Sequence, residues 1–160
     1  MEDNKRVALI KQAILNELEG YEFYKLYAGK VSSAEVKKTF EGIAAEELQH
    51  IEFIKTLLQA TDEDKLALAS IEVPAPGIFK FSMLTPDDLS LALAAFSIAM
   101  RMEEDSQRFY QAAADETADE SEKAFFLRLR DWEIVHRNAF EKEYKLLREE
   151  WWEENSFAPY

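Results

Sequence analysis

Apolar positions recur every three and four residues along almost the whole chain, the spacing that lines one face of an α-helix. The first stripe runs Val7, Ile10, Ile14, Glu17, Tyr21, Tyr24, Ala28, Val31, and the second Val36, Phe40, Ile43, Glu47, His50, Ile54, Leu57. The third reads Leu89, Leu93, Phe96, Met100, Glu103, Gln107, Tyr110, Ala114, and the last Phe126, Leu129, Glu133, His136, Phe140, Glu143, Leu147. These stripes predict helices over about 5–30, 34–60, 86–115 and 120–153 in a single domain spanning 1–160. Between the first two, Ser32-Ser33-Ala34-Glu35 reads as a capping box, with the Ser32 hydroxyl as N-cap and Glu35 reaching back. Thr85-Pro86-Asp87-Asp88 opens the third helix, with Thr85 as N-cap, Pro86 in the first turn and the acids favourable to the helix dipole.

Turns as short as the one before Ala34 make the flanking helices antiparallel neighbours, so the chain is two helical hairpins. Joining them, the helical signal weakens over residues 61–85, where Thr61-Asp62-Glu63-Asp64 leads into a candidate short helix through Ser70 and then the breaker run Val73-Pro74-Ala75-Pro76-Gly77. An extended crossover of about 20 residues spans about 60 Å, more than the ~40 Å length of a helix of about 26 residues. The third helix can therefore begin at either end of the bundle, and an all-α four-helix bundle with one long crossover, ferritin-like in topology, is the economical solution. The hairpins also repeat each other. A shift of 86 residues lays Glu17 on Glu103, Phe23-Tyr24 on Phe109-Tyr110, Glu47 on Glu133 and His50 on His136, so the bundle should carry a pseudo-twofold axis.

Six stripe positions that should face the interior are Glu or His: Glu17, Glu47, His50, Glu103, Glu133 and His136. They fall near mid-helix, where a long side chain does not reach water. Glu17 and Glu47 are equidistant from residue 32, and Glu103 and Glu133 from residue 118, so each antiparallel pair meets at one height. Isolated charges there would each cost several kcal/mol, and no Lys or Arg shares the stripes. Two divalent cations would balance the four carboxylates, with neutral imidazoles completing each shell. The i, i+3 spacing in Glu47-Leu48-Gln49-His50 and Glu133-Ile134-Val135-His136 puts both side chains of each motif on one face. Ligation rich in oxygen, with one nitrogen per metal, suits iron or manganese better than structural zinc.

Composition narrows the classes further. Apolar residues are 48% of the chain, with 11 Phe, 6 Tyr and 3 Trp, enough for a sizeable core. Nineteen Lys and Arg face 32 Asp and Glu; the resulting charge of −13 repels nucleic acid and anionic membranes. No Cys is present, which excludes disulfides, thiolate zinc, iron–sulfur clusters and Cys nucleophiles. The charged start and the lack of any run of about 18 apolar residues fit a cytoplasmic protein.

A Glu from each of two helices with Glu-x-x-His from each of the other two is the carboxylate pattern of two-metal bundles. Together with Glu17-Leu18-Glu19-Gly20-Tyr21-Glu22-Phe23-Tyr24 and Ala45-Glu46-Glu47-Leu48-Gln49-His50, it makes the chain similar to the rubrerythrin-like branch of the ferritin-like superfamily. The resemblance implies a di-iron site held by Glu17, Glu47, His50, Glu103, Glu133 and His136, with manganese or mixed metal as variants. It also implies that Tyr24 and Tyr110, one heptad after Glu17 and Glu103, either bond near the metals or act as redox-active neighbours. The alternative for each is a seam aromatic whose hydroxyl meets a backbone group.

Two departures stand out. Peroxide-reducing relatives carry a further Glu one turn after the third-helix ligand, where this chain has Ser106, with Gly20 as its repeat-mate. Full-length relatives carry a Cys-ligated iron centre, which a chain without Cys cannot hold, so electrons must come from an external donor protein. The haem-binding Met of bacterioferritins is also missing, since Leu48 and Gln49 fill the motif. The expected function is a di-iron oxidoreductase reducing H2O2 or O2, working as a homodimer. Ferroxidase and iron handling is the alternative, an oxygenase the third. The tail Trp151-Trp152-Glu153-Glu154-Asn155-Ser156-Phe157 would pack on the bundle or on a partner, or serve assembly.

Overall fold

The computed structural model describes residues 3–57, 59 and 85–154. Among these residues four helices follow in order: α1 (Asp3–Ala28), α2 (Ala34–Thr56), α3 (Pro86–Glu116) and α4 (Glu120–Glu154). The second stripe is buried in full, from Val36 through Leu57. Val7, which begins the first, is 39% exposed, so the buried part of that stripe starts at Ile10.

The α1–α2 turn is capped one residue later than the sequence suggests. Ser33, in extended conformation, is the N-cap of α2 and accepts from the Val36 N–H at 3.4 Å. Ser32 is taken by a different partner: its hydroxyl donates to Asp88 Oδ2 at 2.8 Å, its N–H to Asp88 Oδ1 at 2.8 Å, and the Ser33 N–H to Asp88 Oδ2 at 2.7 Å. Asp88 lies in the first turn of α3, where Thr85 is the N-cap and accepts from the Asp88 N–H at 3.2 Å. A buried carboxylate with three donors outbids a local cap, because a charge-assisted bond is roughly twice as strong as a neutral one.

These contacts fix the topology. Tyr24 of α1 faces Glu103 of α3, and Glu17 faces Tyr110, so α1 and α3 are antiparallel. Phe53 of α2 stacks on Phe125 of α4 with ring centroids 4.8 Å apart, and His50 on His136 at 5.0 Å, so α2 and α4 are antiparallel as well. It follows that α2 and α3 run parallel. At the end of α2, the Leu57 carbonyl accepts from Arg6 Nη2 at the start of α1, while α3 begins at the opposite end, beside Ser32. The connection between them thus links opposite ends of the bundle, as a ferritin-like topology requires. The expected crossover over 61–85 lies, apart from Thr85, outside the described residues. Among the described residues, no helix is long and apolar enough to cross a membrane.

The core comes in two blocks. One, built on Tyr24, Val36, Phe40, Ile43, Phe96 and Phe140, fills the Ser32 end. The other, built on Ile10, Ile54, Tyr110, Phe125, Phe126 and Leu129, fills the end where α1 begins. On every helix the Glu and His positions fall between the two blocks. Each fully buried Phe, Ile or Leu contributes about 1.5–3 kcal/mol, so a polar layer is held between two apolar plugs.

Candidate metal centre

All six residues singled out from the stripes converge in that layer, each no more than 4% exposed: Glu17 on α1, Glu47 and His50 on α2, Glu103 on α3, Glu133 and His136 on α4. The helical period accounts for their convergence, since each sits on the seam of its helix at the height where the two hairpins cross. His50 Nδ1 lies 3.0 Å from Glu17 Oε2, and 3.8 Å from both Glu47 Oε2 and Glu133 Oε1. Three sets of ligand atoms cluster within 4.8 Å of one another: Glu47 with His50 and His136, Glu17 with His50 and Glu133, and Glu103 with Glu133 and His136. Glu133 belongs to two of the three, which makes it the carboxylate best placed to be shared.

Tyr24 and Tyr110 meet carboxylates, and not backbone groups, with their hydroxyls. Each is fully buried, and its hydroxyl donates to a carboxylate: Tyr24 to Glu103 Oε1 at 3.2 Å, Tyr110 to Glu17 Oε1 at 2.5 Å. Each tyrosine therefore bonds the glutamate of the other hairpin, a reciprocal exchange that obeys the pseudo-twofold repeat. Burial and the carboxylate charges push both phenols well above their ordinary range, so both stay protonated donors.

Electrostatics divide the six. Burial pushes Glu17 upward, yet the bond and charge of His50, with bonds from Glu47 and Tyr110, outweigh it and hold the carboxyl at about 2. Burial depresses His50, and the facing Glu17 more than reverses that, so its imidazole is raised. Glu47 and Glu133 are raised well above the carboxylate range, by burial first and then by the charges of Glu17 and Glu103. Glu103 is pushed up to about 7, mainly by burial. His136 is lowered to about 3 by burial and by the charge on His50.

Two further neighbours lie off the stripes. Glu46 places Oε2 3.9 Å from His136 Nε2, and Trp132 packs its ring against His50 at 4.8 Å. Each immediately precedes a seam glutamate, and that adjacency is the one signal the sequence holds for them.

The donor set fits a pair of divalent cations. Glu47 Oε1, Glu103 Oε2, Glu133 Oε1 and both ring nitrogens of His136 are buried without a hydrogen-bond partner. Leaving such groups bare costs about 1–3 kcal/mol each, more if charged, and cations on those lone pairs remove the cost. Oxygen-rich, imidazole-completed coordination is the chemistry of iron and manganese.

Comparison with known proteins agrees. The chain matches the rubrerythrin family over residues 8–144, and it belongs to that family. No curated protein and no solved structure matches it significantly.

Proposed function

We propose that this rubrerythrin-family chain is a di-iron oxidoreductase that reduces H2O2 or O2 with electrons from a separate donor protein. The observation that carries the reading is the buried layer of four carboxylates and two imidazoles with five polar atoms that lack a hydrogen-bond partner. Glu17, Glu47, His50, Glu103, Glu133 and His136 would hold the two metals. Held there, a pair of ferrous ions would supply the two electrons that take H2O2 and two protons to two waters, with two electrons returned by the donor.

The chain's own residues set the conditions for that exchange. The two apolar blocks keep bulk water from either end of the layer. Tyr24 and Tyr110 hold Glu103 and Glu17 in place and keep their own protons. Glu47 and Glu133, raised by burial and neighbouring charge, are the carboxyls whose protons leave as cations bind. The four carboxylates line a cavity of about 20 Å³, room for one water-sized molecule.

The test is stopped-flow absorbance of anaerobic Fe(II)-loaded protein mixed separately with H2O2 and with O2, with iron counted on the same sample. Two irons per chain, oxidised much faster by H2O2, support the peroxide reading. Faster reaction with O2, iron accumulating beyond two per chain and a hollow many-subunit particle would support ferroxidase and storage instead.

A further inference from the structure

The polar layer is closed at both ends of the bundle by apolar side chains, so a reactant must come in from the side. The side between α1 and α3 is where the packing opens. The cavity beside the carboxylates is walled there by Gly20 and Ser106, with Asn16 and Met102. A second cavity of about 120 Å³ adjoins it, shares Asn16, Met102 and Ser106 as lining, and reaches the surface at Glu19 and Asp105, both exposed. The shared residues set the two cavities side by side, with Asn16, Met102 and Ser106 as the neck between them.

The residues at the neck explain why it is open. Gly20 and Ser106 are repeat-mates, each three residues after a seam glutamate and therefore one turn along the same helix face. Both are small, so the two helices present matching gaps. Gly20 has no room for even a methyl group without pressing on the site: a Cβ there would lie 3.2 Å from Glu47 Oε2 and 3.3 Å from its Cδ. Ser106 contributes a hydroxyl at a position where a longer side chain would fill the inner compartment. Met102, half-buried and flexible, narrows the neck from the α3 side.

We propose that the cleft between α1 and α3 is the portal to the metals, kept open by Gly20 and Ser106 and limited by Met102 to molecules of about the size of water or H2O2. The inference rests on the di-iron reading above. It deepens that reading by selecting the reactant at the neck: hydrogen peroxide and diatomic gases pass Met102, whereas the bulkier alkyl hydroperoxides are held in the outer cavity.

The experiment uses the full chain loaded anaerobically with Fe(II). Its first readout is the association rate of nitric oxide with the ferrous protein, a binding event that needs no turnover. Its second is single-turnover oxidation by H2O2 and by tert-butyl hydroperoxide. Ser106→Phe should slow nitric oxide association and H2O2 oxidation about tenfold or more, because binding must then wait for the helices to part. Two irons per chain and an unchanged far-UV spectrum should be retained. Met102→Ala should raise the ratio of the tert-butyl hydroperoxide rate to the H2O2 rate by a similar factor. A Ser106→Phe protein as fast as wild type, or an unchanged ratio in Met102→Ala, overturns the portal; should Ser106→Phe fail to fold, the Met102 ratio decides. Iron that binds but is oxidised by neither H2O2 nor O2 overturns the proposed function, while nitric oxide still tests the portal. A chain that takes up no iron overturns both.

Discussion

Removing the metal should make the stability of this protein fall as pH rises above about 6.5, a direction opposite to that of most acidic proteins, whose paired carboxylates gain stability as they ionise. In the unfolded chain every glutamate is ionised by that pH and every histidine is losing its charge. In the folded metal-free layer, Glu47 and Glu133 keep their protons because of burial and the charges of Glu17 and Glu103. Glu103 keeps its proton up to about 7, and His50 stays charged beside Glu17. The folded state thus binds more protons than the unfolded one, and stability declines with pH. His136, held down at about 3, has the opposite slope, but its effect is complete once the unfolded histidine is neutral. Below pH 6.5 it offsets one of the three carboxyls; above, they act without opposition. Glu17, held at about 2, is ionised in both states throughout this range and contributes no slope.

Each group that still holds its extra proton from pH 6.5 to 8 should cost about 2 kcal/mol across the window. For a chain of this size that is about 4–8 °C in Tm. Metal binding replaces those protons, so the loaded form should lack this slope, and stabilisation of about 2.7 kcal/mol per site is expected at a free metal concentration one hundredfold above Kd. Calorimetric melts of chelator-treated and Mn(II)-loaded protein at pH 6.5, 7.2 and 8.0 measure both effects. The gap between the two forms should widen with pH, and Glu133→Gln should make the metal-free melts less pH-dependent. A metal-free form whose Tm is flat or rises with pH, or that is as stable as the loaded form, would refute the reasoning that burial holds extra protons on the carboxyls of the layer.

Other changes should separate stability from metal binding. Glu47→Ala should abolish uptake of at least one metal per chain, read by metal analysis after gel filtration; full stoichiometry would remove Glu47 from the site. Tyr110→Phe keeps the ring but deletes the donor to Glu17, and should cost about 2 kcal/mol in chemical denaturation of the metal-free protein. Gly20→Ala should weaken metal affinity in a competition titration while leaving the fold intact, since its Cβ must displace the Glu47 carboxylate by a few tenths of an ångström. Asp88→Ala removes the acceptor of two backbone N–H groups and the Ser32 hydroxyl. It should cost about 3 kcal/mol in Tm-derived stability with metal stoichiometry unchanged, because Asp88 lies at the end of the bundle rather than in the layer.

What could be read before any coordinates were seen is what the helical period encodes. A Glu or His on an apolar stripe at mid-helix has to point inward, so the six seam residues, the two hairpins and the repeat by 86 residues follow from spacing alone. Spacing within a helix carries no information about which hairpin supplies a partner, and there the structure adds most. The tyrosines bond across the pseudo-twofold axis rather than within their own hairpin, and Ser32 leaves its expected capping role for Asp88, 56 residues away. Glu46 and Trp132 escape for a related reason: each is one residue off the stripe and reaches the layer by side-chain length, which a periodicity does not describe.

The repeat also hides an asymmetry with a chemical consequence. Glu17 and Glu103 are equivalent in sequence, as are His50 and His136, yet one Glu is held at about 2 and the other pushed to about 7, and one His is raised while the other falls to about 3. Burial depresses His136 first, and the charge of the stacked His50 ring, with centroids 5.0 Å apart and planes 18° apart, lowers it further. Two positive charges at that distance in an apolar bundle repel strongly, so only one ring can take the second proton and become charged. His50 takes it because its Nδ1 lies 3.0 Å from Glu17, whereas neither nitrogen of His136 has a hydrogen-bond partner. His136 is thus already the neutral lone-pair donor a cation needs, and His50 must first give up a proton. Metal uptake should therefore release protons unequally from two halves that the sequence writes as copies, with the first cation favoured on the side of His136.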